Sequence, residues 1–235
     1  MSSQRFESLK RQVKALRKHF LPSRLSRTGY YQNPERVSTR ALAFRLMCHA
    51  EVESYLEDRC VEVAKRALAH WKAGGYSATI SCIALFSGQT FPVPPNTVHP
   101  AARDQKDWDD LVSPKQRIER AVTSYIQSVK KKNHGVREAN LTALLIPIGL
   151  DLRNISHDLI SRLDSFGQNR GEVAHQSANK FIVQGVDPAD ELNEVRKILK
   201  LLVSLDSALD DLVGSLVTAQ LNVGCGERVD SASVH

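Results

Sequence analysis

One long segment, residues 33–72, constrains the fold more than any other stretch of this chain. Asn33 and Pro34 supply a side-chain cap and a first-turn proline for a helix start, and Gly74 with Gly75 supplies a stop. Between these signals apolar residues recur at steps of three and four, the period of one helix face. We therefore predict a central core helix ending at Lys72, whose buried face holds Ala41, Phe44, Cys48, Val52, Leu56, Cys60, Val63, Ala67 and Trp71.

The rest of the chain has helical periodicity as well. Ser113-Pro114 with Gln116 is a capping-box pattern and predicts a helix start. Shorter helices are expected over about 137–147 and about 151–166, the second with Ile155, Leu159, Leu163 and Phe166 facing inward. Buried positions of the helix after Ser113 are predicted at Ile118, Ala121, Val122, Tyr125, Ile126 and Val129.

Asp187-Pro188 predicts the start of the last long helix, which carries a heptad-like apolar seam. Such a seam indicates either core packing within one chain or, alternatively, a dimer contact. The seam residues are Val195, Ile198, Leu202, Leu205, Leu209, Leu212 and Leu216.

The segment between the first and second halves of the chain is predicted to be a long loop. It follows a short apolar stretch at 78–86 and includes "FPVPPNTVHP" at 91–100, which places four prolines in ten residues. The chain is therefore expected to fold as an all-α protein: a basic amphipathic N-terminal helix over 1–30, one helical domain over 33–218, and a flexible tail over 219–235.

The positive charge is concentrated at the N-terminus. Of the net +6, residues 1–50 contribute +9, from eleven Lys and Arg against Glu7 and Glu35, and the remaining residues contribute −3. Phe6, Leu9, Val13, Leu16 and Phe20 form an apolar stripe with which this helix could dock on the bundle. Its charged face has three interpretations: a phosphate-binding surface, an organellar transit peptide, or a solvated helix face.

Several functional classes find no support in the sequence. Cys48, Cys60, Cys82 and Cys225 form no CxxC pair or short Cys/His cluster, so we expect reduced structural thiols and no zinc site. A secretion signal and an apolar run of the ~20 residues needed to cross a bilayer are both missing, so a cytoplasmic protein without a membrane partner is expected. Phosphate-binding glycine loops and GxSxG motifs are also missing.

The stretch "QNRGEVAHQS", residues 168–177, contains the candidate catalytic pair Arg170 and His175. About 0.6 pairs with this spacing are expected by chance in this composition, so the spacing alone is weak evidence. Gly167 is expected to end one helix and Asn169 to cap the next, with Glu172 at its third position. Arg170 would then lie at a helix N-terminus, which favours a phosphate.

On one rigid helix, five residues correspond to about 140° of rotation and about 7.5 Å of rise. Arg170 and His175 would therefore point in different directions. They can act on one substrate through the long arginine side chain at a frayed helix start, or by pairing with the same motif of a second chain. This geometry favours a composite site built by two copies.

Three segments together resemble the HEPN superfamily, specifically its RiboL-PSP-type branch. They are "HAEVESYLEDR" (49–59), "KKKNHGVREANLTALLIPIGLDL" (130–152) and "LDSFGQNRGEVAHQSA" (163–178), and the resemblance covers roughly residues 38–215. The family signature is an arginine, four to six residues and a histidine, which Arg170 and His175 match. The residue after the arginine is usually Asn, Asp or His in the family, whereas this chain has Gly171.

The resemblance implies a HEPN-like helical bundle that dimerises and cuts RNA without a metal or cofactor, as a toxin–antitoxin, antiphage or RNA-repair-linked protein with a possible antitoxin or defence partner. In this reading one His175 takes the proton from a ribose 2′-hydroxyl and its dimer mate protonates the leaving 5′-oxygen. Arg170 stabilises the charge on the phosphate. The alternatives are a catalytically inactive HEPN module that binds RNA, a nucleotide or a protein, and a helical scaffold without a ligand.

Other residues have weaker functional interpretations. Asn169 and Glu172 could support the motif, although helix capping accounts for Glu172 equally well. The acidic residues of the segment at 49–53, Glu53 in particular, could neighbour the cleft, but solvent-facing carboxylates are the more common outcome. Arg153 and His157 are expected to form a surface pair on one helix face. A possible RNA-binding group near His134 consists of Lys130, Lys131, Lys132 and Arg137, although a helix C-terminus also attracts lysines.

Overall fold

A computed structural model describes residues 2–87, 113–175 and 186–223, including all side chains there except those of 169–175 and 216–223. The described residues form seven α-helices and no strand, so the all-α prediction is confirmed. The predicted Pro-rich loop at 91–100 lies outside the described residues. The helices are α1 (Gln4–Phe20), α2 (Pro34–Lys72), α3 (Ala78–Phe86), α4 (Pro114–Lys132), α5 (Glu138–Leu145), α6 (His157–His175) and α7 (Pro188–Val223).

The central helix α2 has the predicted ends. The Asn33 side chain accepts a hydrogen bond from the backbone N–H of Arg36, Pro34 stands in the first turn, and Gly74 follows the helix with φ +85°. Most of the predicted face is buried, from Ala41 to Ala67, and Trp71 packs partly buried against the core. All six other helices contact α2, so this helix is the axis of the bundle in the described chain.

Helix α1 docks on α2 through its apolar stripe, as predicted. Phe6 and Leu9 are fully buried, Val13 is nearly so, and Leu16 and Phe20 pack partly buried against the core. The helix is shorter than the predicted 1–30, because Leu21 is extended and residues 21–33 are not helical. Pro22 explains this end, since a residue before proline is disfavoured in the helical conformation.

The α4 and α7 predictions also agree with the structure. Ser113 accepts a hydrogen bond from the backbone N–H of Gln116, and Asp187 accepts one from Ala189 at the start of α7. The α7 seam from Val195 to Leu209 is buried against the bundle, which supports core packing within one chain rather than a dimer contact for these residues. The helix continues to Val223, into the first residues of the segment predicted as a tail.

The predictions for the segment around α6 were wrong in two respects. Asp151 accepts a hydrogen bond from the backbone of Arg153 and starts a 3-10 turn, Leu152–Asn154, so α6 begins at His157 and not at 151. Arg153 and His157 therefore do not share a face of one α-helix. The helix also runs through Gly167 without a break, so Asn169 is not an N-cap and Glu172 is not a third-position residue.

The three cysteines in the described residues are free, as expected for structural thiols. Cys48 and Cys60 are fully buried in the core, and Cys82 is partly buried. Burial raises the pKa of the Cys60 thiol to about 12. Cys225 lies outside the described residues.

A buried polar cluster joins α1, α2 and α7, and the apolar pattern gave no sign of it. Asp206 of α7 accepts hydrogen bonds from the Ser3 backbone and hydroxyl, at 2.7 and 2.6 Å, and from the Tyr55 hydroxyl, at 2.8 Å. The Arg59 Nε lies 3.3 Å from an Asp206 oxygen, and both side chains are almost fully buried. Burial, together with the charge of Asp206, raises the pKa of Tyr55 and keeps its hydroxyl a donor.

We expect Arg59→Met to lower the free energy of unfolding by about 3–5 kcal/mol, because the buried Asp206 carboxylate would lose its cationic partner. Chemical denaturation of the two proteins measures this difference. Arg153→Met is the control, since the Arg153 side chain is 90% exposed, and it should not change the denaturation midpoint measurably. Equal midpoints for Arg59→Met and the unmodified chain would contradict the role given to this cluster.

Candidate active site

The motif pair lies on one uninterrupted helix. Arg170 stands several turns after the start of α6 at His157, so the free backbone N–H groups of a helix N-terminus are not beside it. The Cα of Arg170 follows Phe166 by four residues and Leu163 by seven, which places it on the side of the axis that faces the core. The Cα of His175 lies about 140° further around the axis and about 7.5 Å along it.

The middle of α2 contacts α6 directly before the motif. The ring of His49, which is almost fully buried, packs 5.4 Å from the ring of Phe166, measured between centroids. The His49 Nδ1 lies 3.5 Å from an Oε2 of Glu53, one turn along α2, so the two form an ion pair when the imidazole is protonated. The Glu53 side chain is only 16% exposed. The Glu53 side chain is therefore mostly buried rather than solvent-facing, and it lies one turn from the residue that contacts α6.

The segment between α4 and α5 reaches both α2 and α6. The Asn133 side chain donates to Glu57 of α2, at 2.7 Å, and accepts from Asn140 of α5, at 3.1 Å. Arg137 lies against Gly167, where a Cβ would stand 2.7 Å from the Arg137 Cγ. Gly167 is therefore a close-approach position inside a helix, which accounts for a glycine at a place where the helix does not end.

Asp164 of α6 holds the start of α5 in place. Its Oδ1 accepts from the backbone N–H of Glu138, at 3.1 Å, and lies 3.3 Å from the Arg137 Nε. Arg137 itself provides no side-chain cap for α5. A carboxylate from a neighbouring helix thus takes the capping role, satisfying an N–H group that no residue of α5 satisfies.

The three lysines predicted as RNA-binding occupy the last turn of α4. Lys130, Lys131 and Lys132 are exposed, and the helix dipole favours cations at this end. Arg137 pairs with Asp164 of α6. Within the described residues, none of the three lysines forms an ion pair. The structure thus separates Arg137, which is fixed beside α6, from the lysines.

We refer to His49, Glu53, Asp164, Phe166 and Gly167 as the α2–α6 junction. The junction ends at Gly167. The structure does not describe the side chains of the motif residues that follow, which are Asn169, Arg170, Glu172 and His175. The i, i+4 spacing of His49 and Glu53 was a readable signal for a pair on one helix face. The bonds from Asp164 to α5 and from Asn133 to Glu57 had no such signal, because they join residues far apart in the chain.

Two features of the described residues bear on what the chain can bind. Within the described ranges, His, Cys, Asp and Glu side chains form no group of three or more that could hold a metal ion. None of the helices in those ranges is long and apolar enough to cross a membrane. Comparison of the chain with protein-family models, curated proteins and solved structures gave no match.

We expect Asp164→Ala to lower the free energy of unfolding by about 1 kcal/mol, because the first N–H of α5 would lose its acceptor. Urea denaturation monitored by circular dichroism checks this value. Asp211→Ala is the matched control, since Asp211 is exposed on α7 and makes no ion pair with a described residue. If both variants shift the midpoint equally, Asp164 does not hold α5 in the way described.

Proposed function

We propose that this chain is a HEPN-type, metal-independent endoribonuclease that acts as a homodimer. One observation carries the proposal: the three segments on which the family resemblance rests, at 49–59, 130–152 and 163–178, come together in the fold. His49 contacts Phe166, and Arg137 lies against Gly167. These contacts surround α6 immediately before Arg170. Segments distant in sequence thus converge on the helix that carries the Arg/His motif, as a shared site requires.

The chemistry proposed for the motif uses residues that can work near neutral pH. His175 takes the proton of a ribose 2′-hydroxyl, and the freed oxygen attacks the adjacent phosphorus. The same histidine of a second copy gives a proton to the leaving 5′-oxygen. Arg170 binds non-bridging phosphate oxygens and stabilises the charge that grows on them. The products are a 2′,3′-cyclic phosphate and a 5′-hydroxyl.

Glu53 has a positioning role in this proposal. Its mostly buried carboxylate, paired with His49, places negative charge at the α2–α6 junction. A carboxylate in a partly desolvated place favours a nearby guanidinium or imidazolium in its charged form. Asn169 and Glu172 are further supporting candidates, on the grounds of their places beside Arg170 in the sequence.

The continuous helix strengthens the argument for a two-chain site. The helix does not begin at Arg170, so a frayed helix start cannot bring its side chain round to His175. On a rigid helix, Arg170 and His175 point about 140° apart. A second copy related by a two-fold axis can bring its own α6 alongside, so that one cleft receives an arginine and a histidine from each chain. We propose further that the enzyme is the toxic or effector part of a toxin–antitoxin or antiphage system, restrained by a partner protein.

A second candidate is a catalytically inactive HEPN module that binds RNA, a nucleotide or a protein through the same region. Two observations favour it. Gly171 stands where the family usually has a polar residue, and the uninterrupted α6 removes the anion-binding helix start predicted for Arg170. The two candidates have the same fold, but only the first cleaves RNA.

We expect the purified protein to cut total RNA in the presence of a chelator, leaving 2′,3′-cyclic phosphate and 5′-hydroxyl ends. Arg170→Ala and His175→Ala should each lower the rate by about 10²-fold or more, because each removes a group that acts in the transition state. End mapping and initial rates measure both. Arg153→Ala and His157→Ala are the matched controls, an arginine and a histidine just before or at the start of α6, and should cut at the unmodified rate. Intact RNA with the unmodified protein would favour the inactive module, and 5′-phosphate ends would rule out the mechanism.

Mixing experiments test the two-chain site. When unmodified chains are refolded with His175→Ala chains, we expect activity to fall as the square of the unmodified fraction, since only a dimer with two histidines has both base and acid. The measurement is the initial cleavage rate across a series of mixing ratios at constant total protein. A linear dependence on the unmodified fraction would show that each chain carries a complete site.

A further inference from the structure

Most basic residues of the N-terminal region belong to one of two groups, which differ in their contacts. Arg5 pairs with Asp58 and Lys10 with Glu7, while Arg40 donates to the His19 carbonyl. The second group is exposed and forms no ion pair with any residue the structure describes. We call this group the N-terminal basic face; it consists of Arg11, Lys14, Lys18, Arg24, Arg27 and Arg36.

Three of these cations form a stripe along α1. Arg11, Lys14 and Lys18 follow each other at steps of three and four, so they project from one side of the helix, opposite the buried apolar stripe. The stripe is roughly 10 Å long at the rise of an α-helix. The helix dipole accounts for Lys18 in the last turn but not for Arg11 or Lys14 further back. A row of unpaired cations of this kind matches a phosphodiester backbone.

An exposed aromatic ring lies in residues 21–33, the segment that carries Arg24 and Arg27 of the basic face. Tyr30 is 78% exposed, in residues 21–33 between α1 and α2, and the neighbouring Gly29 has φ +72°, a turn conformation. Arg27 precedes it by three residues. Rings exposed among cations are the surface on which unpaired bases stack, and such stacking is sequence-tolerant.

The apolar side of α1 argues against a lipid surface as the ligand. An amphipathic helix enters a membrane interface with its apolar face. In α1 that face is committed to the bundle, because Phe6 and Leu9 are fully buried and the Phe6 ring packs 5.6 Å from the Tyr55 ring. What α1 offers to a ligand is charge, and the adjoining segment offers one exposed ring.

The basic face is separate from the α2–α6 junction. Arg5 of α1 bonds Ser54 and Asp58 of α2, whereas His49 of α2 contacts α6. Positions five and nine residues apart on a helix differ by about 140° and 180° around its axis. The two regions therefore lie on roughly opposite sides of α2.

We propose that the N-terminal basic face is a second RNA-binding surface that holds single-stranded RNA, with phosphates on Arg11, Lys14 and Lys18 and a base stacked on Tyr30. The proposal rests on the proposed function for the identity of the polyanion. It adds a binding site that works without the Arg/His motif and that would retain a strand while another part of it enters the cleavage site.

Direct binding to an unstructured RNA of about 16 nucleotides tests the proposal, measured by fluorescence anisotropy across a salt series. All chains carry His175→Ala, so that RNA stays intact during the measurement. The test variant is Arg11→Gln with Lys14→Gln and Lys18→Gln, which keeps helix propensity nearly constant. The matched control is Arg196→Gln with Lys197→Gln and Lys200→Gln, three exposed cations of α7.

We expect the α1 variant to raise Kd about tenfold or more at low salt and to reduce the salt slope by about two, since three phosphate contacts are lost at about 0.7 each. The α7 control should change Kd by less than about threefold. Tyr30→Ala should weaken binding of the single strand but not of an RNA duplex, because only unpaired bases can stack on the ring.

Three results would overturn the proposal: equal losses in the α1 and α7 variants, tighter binding to vesicles containing phosphatidylserine than to RNA, or a Tyr30→Ala variant that binds the single strand as well as its parent. Cleavage is measured separately, with His175 restored. RNA binding that depends on α1, together with no cleavage, would leave this surface in place and reject only the nuclease. Cleavage without α1-dependent binding would support the nuclease and reject the binding surface.

Discussion

The fold depends on the burial of α2 along most of its length. A helix of this length with apolar residues around much of its circumference is stable in water only when other helices cover it. All six other helices contact it, and the residues buried on it extend from Ser38 to His70. The positions of α1, α6 and α7 follow from the faces of α2 that they cover, and so do the places of any sites they carry.

Polar contacts then determine how the covering helices are aligned along α2. Arg59 and Tyr55 meet Asp206 of α7 inside the core, and Ser3 brings the start of α1 to the same carboxylate. Near the other end, Arg45 pairs with Glu191 at the start of α7. Apolar packing alone tolerates sliding of one helix along another. A buried carboxylate that accepts three hydrogen bonds and pairs with a guanidinium does not, because each shift breaks a buried polar contact.

The sequence was sufficient for the fold where its signals are local. Asn33-Pro34 and Ser113-Pro114 place side-chain caps next to the helices they start, and both starts were predicted correctly. Gly167 misled the prediction because the reason for a glycine there is tertiary: the Arg137 side chain passes where a Cβ would be. A glycine kept for close approach and a glycine that ends a helix look alike in one sequence. Asp164 likewise caps a helix to which it does not belong, and no spacing rule finds it.

The same distinction applies to the candidate site. The Arg/His spacing was readable, and so was the turn that pairs His49 with Glu53. The contact of His49 with Phe166 was not, because it depends on how α6 packs on α2. The continuous α6 changes the physical argument for the motif. An anion site at a helix start would have let one chain bind a phosphate by itself; a rigid helix instead holds Arg170 and His175 about 140° apart. If the reaction under the proposed function needs both groups on one phosphate, a second copy of the helix would have to supply one of them, and dimerisation would then be a condition of catalysis.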